Sequence, residues 1–176
     1  NNFNKKNKIN YLEKGLYKNV RDIYALALII ARSNNKNTEI LDYGGNLISS
    51  VNLVNKINTK KIKISIFNPF QSKNFKNNTS LKIKIYEKIN EVRKKKFNLT
   101  YLGSVLQYIN DIKKISGKSI ILKSNYILIT HTPISLSNSK FLEKQTNARN
   151  LFQKVHSYKN FYHDFLKKKY SLIFRS

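Results

Sequence analysis

Five short apolar runs, each built to be a strand and separated by stretches of helical or loop character, limit this chain's fold more than any other feature. Glu39-Ile40-Leu41-Asp42-Tyr43 runs into Gly44-Gly45, and Ile62 to Phe67 is stopped by Asn68-Pro69. Leu81 to Ile85 and Phe97 to Leu102 follow, the latter broken at Gly103, and Tyr126 to Thr130 ends before Pro133. Glycine and proline punctuate strand ends because one permits unusual backbone angles and the other lacks an amide donor. Apolar residues between the runs return at helical spacing. Leu16, Val20, Ile23, Ala27 and Ile30 form one stripe, closed by the polar Ser33 to Asn37 cluster. Leu47, Val51 and Val54 form a second, and Val105, Ile109 and Ile112, with Leu106 and Ile115, a third. Tyr158, Phe161, Tyr162 and Phe165 line a late helix, and Tyr170 to Phe174 fits a last strand. Residues 70–80 read as loop or weak helix. Strands alternating with helices at this spacing predict βαβ crossovers, and hence an α/β fold with a mainly parallel sheet.

One domain accounts for the whole pattern. The polar residues 1–15 are expected to be frayed or disordered, and residues 16–176 to form a single unit long enough to bury its own core. No apolar run approaches the ~18–20 residues that span a bilayer. The Asn- and Lys-rich start is unlike a signal peptide, so a cytoplasmic protein is expected. The first residue is Asn, which fits a fragment of a longer chain.

Cysteine is absent, which excludes disulfides, thiolate metal sites and cysteine nucleophiles. The three histidines and nine acids show no metal-ligand spacing, so no metal is expected. A G-x-S-x-G elbow and a P-loop are also missing, which argues against a hydrolase or a nucleoside triphosphatase. The formal net charge is +25, from 34 Lys and Arg against 9 Asp and Glu. Such a field attracts polyanions, nucleic acid among them. The lysines are dispersed, with short clusters at Lys60-Lys61, Arg93 to Lys96 and Lys167 to Lys169 and no interleaving with aromatics. That dispersal favours general surface charge over a dedicated nucleic-acid site.

Chemistry is expected where the first strand hands over to its helix. On open α/β sheets, ligands bind outside the carboxyl ends of the strands near the point where strand order reverses. Asp42 brings a carboxylate there, and Gly44-Gly45 a backbone that a ligand can approach closely.

Taken in order, Leu41-Asp42-Tyr43-Gly44-Gly45, Ser104-Val105-Leu106-Gln107-Tyr108 with Ile109-Asn110-Asp111, and Tyr126 to Thr130 followed by His131-Thr132-Pro133 resemble a family of class I S-adenosylmethionine-dependent methyltransferases associated with surface-polysaccharide gene clusters. Gln145 and the Ser157-Tyr158 segment also look similar, and the resemblance covers residues 20–176. It implies a Rossmann-like three-layer sandwich, with the chain ending where a final strand pair is expected to begin. It implies S-adenosylmethionine as cofactor, held by Asp42, Gly44, Gly45, Asn68, Ser104 and Gln107. The implied substrate is a glycan or small-molecule hydroxyl, in polysaccharide biosynthesis.

Three positions depart from the family pattern. Ile48-Ser49 stands where the family has glycine and serine, and a branched side chain keeps a ligand off the backbone. Asn68 occupies the place of the ribose-binding acid, and an amide offers one acceptor oxygen and no charge. Thr130-His131 replaces an aspartate-arginine pair and substitutes a titratable ring for a fixed cation. Methyl transfer mainly needs alignment, and it needs a base only when the acceptor is a hydroxyl. His131, after the fifth strand, is the candidate for that base. Tyr108, after the fourth strand where substrate or adenine could lie, is expected rather to pack in a helix or to lie polar at the surface, His156 to lie on a loop and His163 on a helix surface. Two alternatives compete: an RNA-binding protein or RNA methyltransferase, suggested by the charge, and a non-catalytic methyltransferase-like domain, suggested by Ile48 and Asn68.

Overall fold

The computed structural model describes residues 37–45, 62–68, 83–109, 123–139, 141–144 and 152–166, the side chains of the last stretch through residue 163. Its centre is a five-stranded sheet of β1 (Thr38–Tyr43), β2 (Ile62–Phe67), β3 (Ile83–Tyr86), β4 (Leu99–Gly103) and β5 (Tyr126–Thr130), in the order β3-β2-β1-β4-β5. Every pairing in it is parallel. Numbered by sequence, this is the doubly wound order 3-2-1-4-5, in which the chain builds outward from β1 to one side and then starts again at β4 on the other. The chain therefore has a Rossmann-like α/β fold with a mainly parallel sheet.

The sheet is buried on both faces, as a parallel sheet must be when crossovers cover it. Successive side chains of a strand point to opposite faces. Ile40, Ile62, Ile64, Ile66, Leu99 and Leu128 pack together in one cluster. Leu41, Phe67, Tyr86, Val92 and Phe97 form another, and Leu102 and Leu106 a third with Tyr43, Ile127 and Ile129 against them. The double burial explains why isoleucine and leucine recur so densely in β1, β2 and β5. At the amino end of the central pair, β1 and β4 are clamped reciprocally. Asn98 N donates to the Glu39 carbonyl at 2.9 Å, and Glu39 N donates to Asn98 Oδ1 at 2.8 Å.

The strand bounds match the expected runs at β2 and β5. β4 begins two residues later than its apolar run suggested, and the first two residues of the Leu81 to Ile85 run lie outside the described residues. Two further features differ. A one-turn helix, α1 (Ile89–Arg93), precedes β4, its Val92 fully buried and its start closed by Glu91 accepting from Lys88 N at 3.4 Å. The helix expected to start at Ser104–Tyr108 and run to Ile115 begins as a three-residue 3-10 turn, Leu106–Tyr108, after which Ile109 is extended (φ −90°, ψ 118°), and residues 110–115 lie outside the described residues. Tyr108 is consequently about half exposed, at the surface and not packed in a helix, the second of its two expected places.

Beyond β5 the chain makes a second sheet that its sequence did not announce: β6 (Ile134–Ser135), β7 (Phe141–Lys144) and β8 (Phe152–Ser157), in the order β6-β8-β7. β7 and β8 are antiparallel, and β6 runs parallel to β8. The late helix is present as α2 (Tyr158–Leu166). His156, expected on a loop, is a buried residue of β8, because that strand's carboxyl half packs on the Leu106–Tyr108 turn. His163 lies exposed on α2. The stripes at Leu16–Ile30 and Leu47–Val54, Ile48, residues 70–80 and the Tyr170–Phe174 run lie outside the described residues, as do 1–15.

If double burial carries the sheet's stability, Ile66→Ala should lower unfolding free energy by ~2–5 kcal/mol in urea titration. Exposed Tyr162→Ala on α2 should change it by less than ~0.5 kcal/mol.

Candidate functional site

The reversal of strand order falls between β1 and β4, so the turns leaving those two strands and their neighbours define the candidate site. Gly44 follows β1 with φ 78°, a left-handed conformation that an L side chain resists. A Cβ there would run into the Val105 side chain at the exit of β4. The two turns are thus in direct contact across the reversal point. Gly45 is constrained differently: a Cβ on it would fall on the Asp42 carboxylate. Asp42 is 5% exposed, and its carboxylate lies against the Gly45 backbone. The Asp-x-Gly-Gly spacing is therefore a packing requirement as well as a chemical one.

Asn68, directly after β2, ties this turn to its neighbour. Its Nδ2 donates to the Gly45 carbonyl at 3.0 Å. Gly44 N donates to the Phe67 carbonyl at 2.7 Å, and Asn68 N to the Tyr86 carbonyl at 3.1 Å, so pairing continues past β1, β2 and β3. An aspartate at 68 could not make the first of these bonds, since a carboxylate only accepts. In this chain an amide at the end of β2 has a local structural reason.

On the other side of the reversal point, Ser104 follows β4 with φ 53° and His131 follows β5 with φ 51°. These are the two non-glycine residues with positive φ among the described residues. They lie side by side, because Gly103 pairs with Thr130 and Ser104 N donates to the Thr130 carbonyl at 3.0 Å. Strained backbone of this kind costs ~1–3 kcal/mol per residue and clusters at functional sites. His131 is exposed at this carboxyl edge, one strand beyond Ser104. The 3-10 turn that follows buries Gln107, 7% exposed, whose Oε1 has no hydrogen-bond partner. A buried acceptor left unpaired costs ~1–3 kcal/mol, and a ligand's donor would recover it.

The fold thus gathers Asp42, Gly44, Gly45, Asn68, Ser104, Gln107 and His131 along one edge of the sheet, at the ends of β1, β2, β4 and β5. It adds a pair that the sequence gave no periodic sign of. His156 Nε2 lies 3.2 Å from the Leu106 carbonyl, and since a carbonyl only accepts, Nε2 carries the hydrogen. The neighbouring Ser157 is fully buried with its Oγ unpartnered. Both sit where β8 meets the turn that carries Gln107. Among the described residues no group of three or more His, Cys, Asp or Glu is arranged to hold a metal ion, and no helix is long and apolar enough to cross a membrane.

One residue near the turns fits a bound small molecule: Gln107 Oε1 is an orphaned buried acceptor. The space beside Gly44 and Gly45 is taken by the Val105 side chain and the Asp42 carboxylate. No protein-family model and no curated protein matches the chain. Among solved structures it is similar to the 16S rRNA methylase ArmA, at 13% identity and a TM-score of 0.48, over 91% of this chain and 78% of that one. The fold assignment rests on the strand order and not on this likeness.

Two measurements check the turn. Asn68→Asp should destabilise the protein by ~1–3 kcal/mol in urea, because it removes the donor to Gly45 and faces a carboxylate toward a carbonyl. Tyr43, packed against Phe67 at a ring separation of 4.9 Å, has its phenol raised above 10.0 by burial, partly opposed by the Arg93 charge. A folded-state value above the unfolded one means that this contribution is complete below pH ~10 and is lost as pH rises through the folded value. Tyr43→Phe should therefore flatten the alkaline arm of the stability profile and leave the neutral region's slope unchanged.

Proposed function

We propose that residues 16–176 form one S-adenosylmethionine-dependent methyltransferase domain acting on a hydroxyl of a sugar or other small molecule. The observation that carries this reading is the Asp42 carboxylate folded on the Gly44-Gly45 turn at the reversal point of a 3-2-1-4-5 parallel sheet. The resemblance of the three ordered sequence segments supports it.

In this reading Asp42 and the Gly44-Gly45 backbone hold the amino-acid end of the cofactor, the carboxylate accepting from its ammonium. Asn68 faces the ribose with the one oxygen that its amide offers, which predicts weaker ribose binding than an acid would give. Ser104 and Gln107 line the far side, Gln107 Oε1 accepting from a donor of the bound molecule. Bound S-adenosylmethionine supplies an electrophilic methyl group on a sulfonium. His131, beside Ser104, takes the proton that a hydroxyl acceptor must lose, and the two strained turns hold acceptor and base in line.

Calorimetry with S-adenosylmethionine and S-adenosylhomocysteine tests the reading. Folded full chain should bind both, and Asp42→Ala should weaken both by at least about tenfold, the loss of one charge-assisted hydrogen bond. Absence of heat with either ligand would overturn it in favour of a non-catalytic domain. With an acceptor in hand, His131→Ala should slow turnover by ~10²–10⁴-fold while cofactor affinity holds.

A further inference from the structure

The β7–β8 pair is exposed along β7 and the amino half of β8. All four residues of β7 are exposed, and β8 is exposed or half-buried from Phe152 to Lys154 before it enters the core at Val155. Register sets its two faces. Leu142 pairs with Lys154, and Lys144 with Phe152, so these four share one face. Phe141 with Val155 and Glu143 with Gln153 share the other, where Gln153 Nε2 donates to Glu143 Oε2 at 3.4 Å. The first face is therefore a checkerboard, with Leu142 and Phe152 on one diagonal and two lysines on the other. Diagonal neighbours on such a ladder lie ~7–8 Å apart, within reach of an aromatic ring. Leu142 is 67% exposed and Phe152 56%. The only acid of either strand, Glu143, is on the opposite face.

We propose that this face docks the protein on an anionic lipid surface, with Leu142 and Phe152 entering the interface and Lys144 and Lys154 meeting acidic headgroups. Three observations select this occupant. A second copy is disfavoured because each chain carries a net charge of +25. The segment 140–159 repeats that bias, with Lys140, Lys144, Arg149, Lys154 and Lys159 against Glu143 alone. Single-stranded nucleic acid would use Phe152 as a stacking platform but leave aliphatic Leu142 in water, whereas hydrocarbon accepts both. Apolar insertion beside a cationic rim is the combination that binds acidic bilayers without spanning them.

The same strand reaches the candidate site. β8 carries Phe152 at one end and His156, bonded to Leu106, near the other. At ~3.3 Å per residue the lipid-facing end lies ~13 Å from that anchor. A methyl acceptor held at the membrane surface would be within reach of the turn that carries Gln107.

The chain contains no tryptophan, so Phe152→Trp in the full-length chain introduces a single fluorophore on this face. Vesicles of phosphatidylcholine with about one-third phosphatidylglycerol should shift its emission to the blue, and phosphatidylcholine alone should not. Adding Lys144→Gln and Lys154→Gln should weaken partitioning by roughly 30-fold, from two lost surface charges. Adding Leu142→Ser should reduce the shift, and circular dichroism melts of all variants should coincide because the altered positions are outside the core. Generic attraction of a +25 chain would bring it to anionic vesicles but would not bury this ring. Unchanged emission on anionic vesicles, a shift indifferent to both lysines, or quenching by single-stranded RNA without any lipid response would overturn the proposal. Neither cofactor nor acceptor enters the measurement, so its outcome is separable from that of the cofactor titration.

Discussion

β1 has a parallel partner on each edge and apolar packing on each face, and the rest of the molecule is arranged around meeting that condition. A strand with both edges paired leaves no backbone donor or acceptor to water, and Ile40 and Leu41 close its two faces with almost no exposure. The chain cannot place β2 and β4 on the same side of β1. It builds outward to β3, then returns to start again at β4. The reversal that follows from this is where the turns after β1 and β4 converge, with Val105 against Gly44.

The cost of convergence appears at those turns. Gly44 and Val105 touch, Asp42 lies on Gly45, and Ser104 and His131 both accept left-handed backbone. Asn68 then holds the Gly45 carbonyl in place. Asn68 is therefore coupled to the turn it supports, and an acid there would lose the donor that positions the glycine.

The second sheet answers a different constraint. Its carboxyl half is held by the main body, with His156 bonded to Leu106 and Phe161 of α2 beside it at a ring separation of 6.0 Å. Its amino half and β7 expose apolar and cationic side chains together. An edge strand exposing Phe141 and Leu142 invites association, and the surrounding positive charge restricts with what.

Ile62 to Phe67 and Tyr126 to Thr130 were legible to the residue, because one alternates isoleucines with Lys63 and Ser65, the other is a short apolar run, and they end at Asn-Pro or ahead of Thr-Pro. The α/β class and the location of Asp42, Gly44 and Gly45 at a strand end followed from that same local signal. β8 was not legible. Gln153-Lys154-Val155-His156-Ser157 has no apolar period, and its burial comes from the turn and helix that fold against it. Of the helix read from Ser104 onward, the described part is a 3-10 turn, against which β8 packs through the His156 contact to Leu106. Sequence by itself determined which segments must hide from water and where glycine and a carboxylate meet. Tertiary structure alone decided that Asn68 bonds to Gly45, that Ser104 stands beside His131, and that Leu142, Lys144, Phe152 and Lys154 share a face. Burial is written in a residue's own chemistry, whereas adjacency depends on which strand comes to lie next to it.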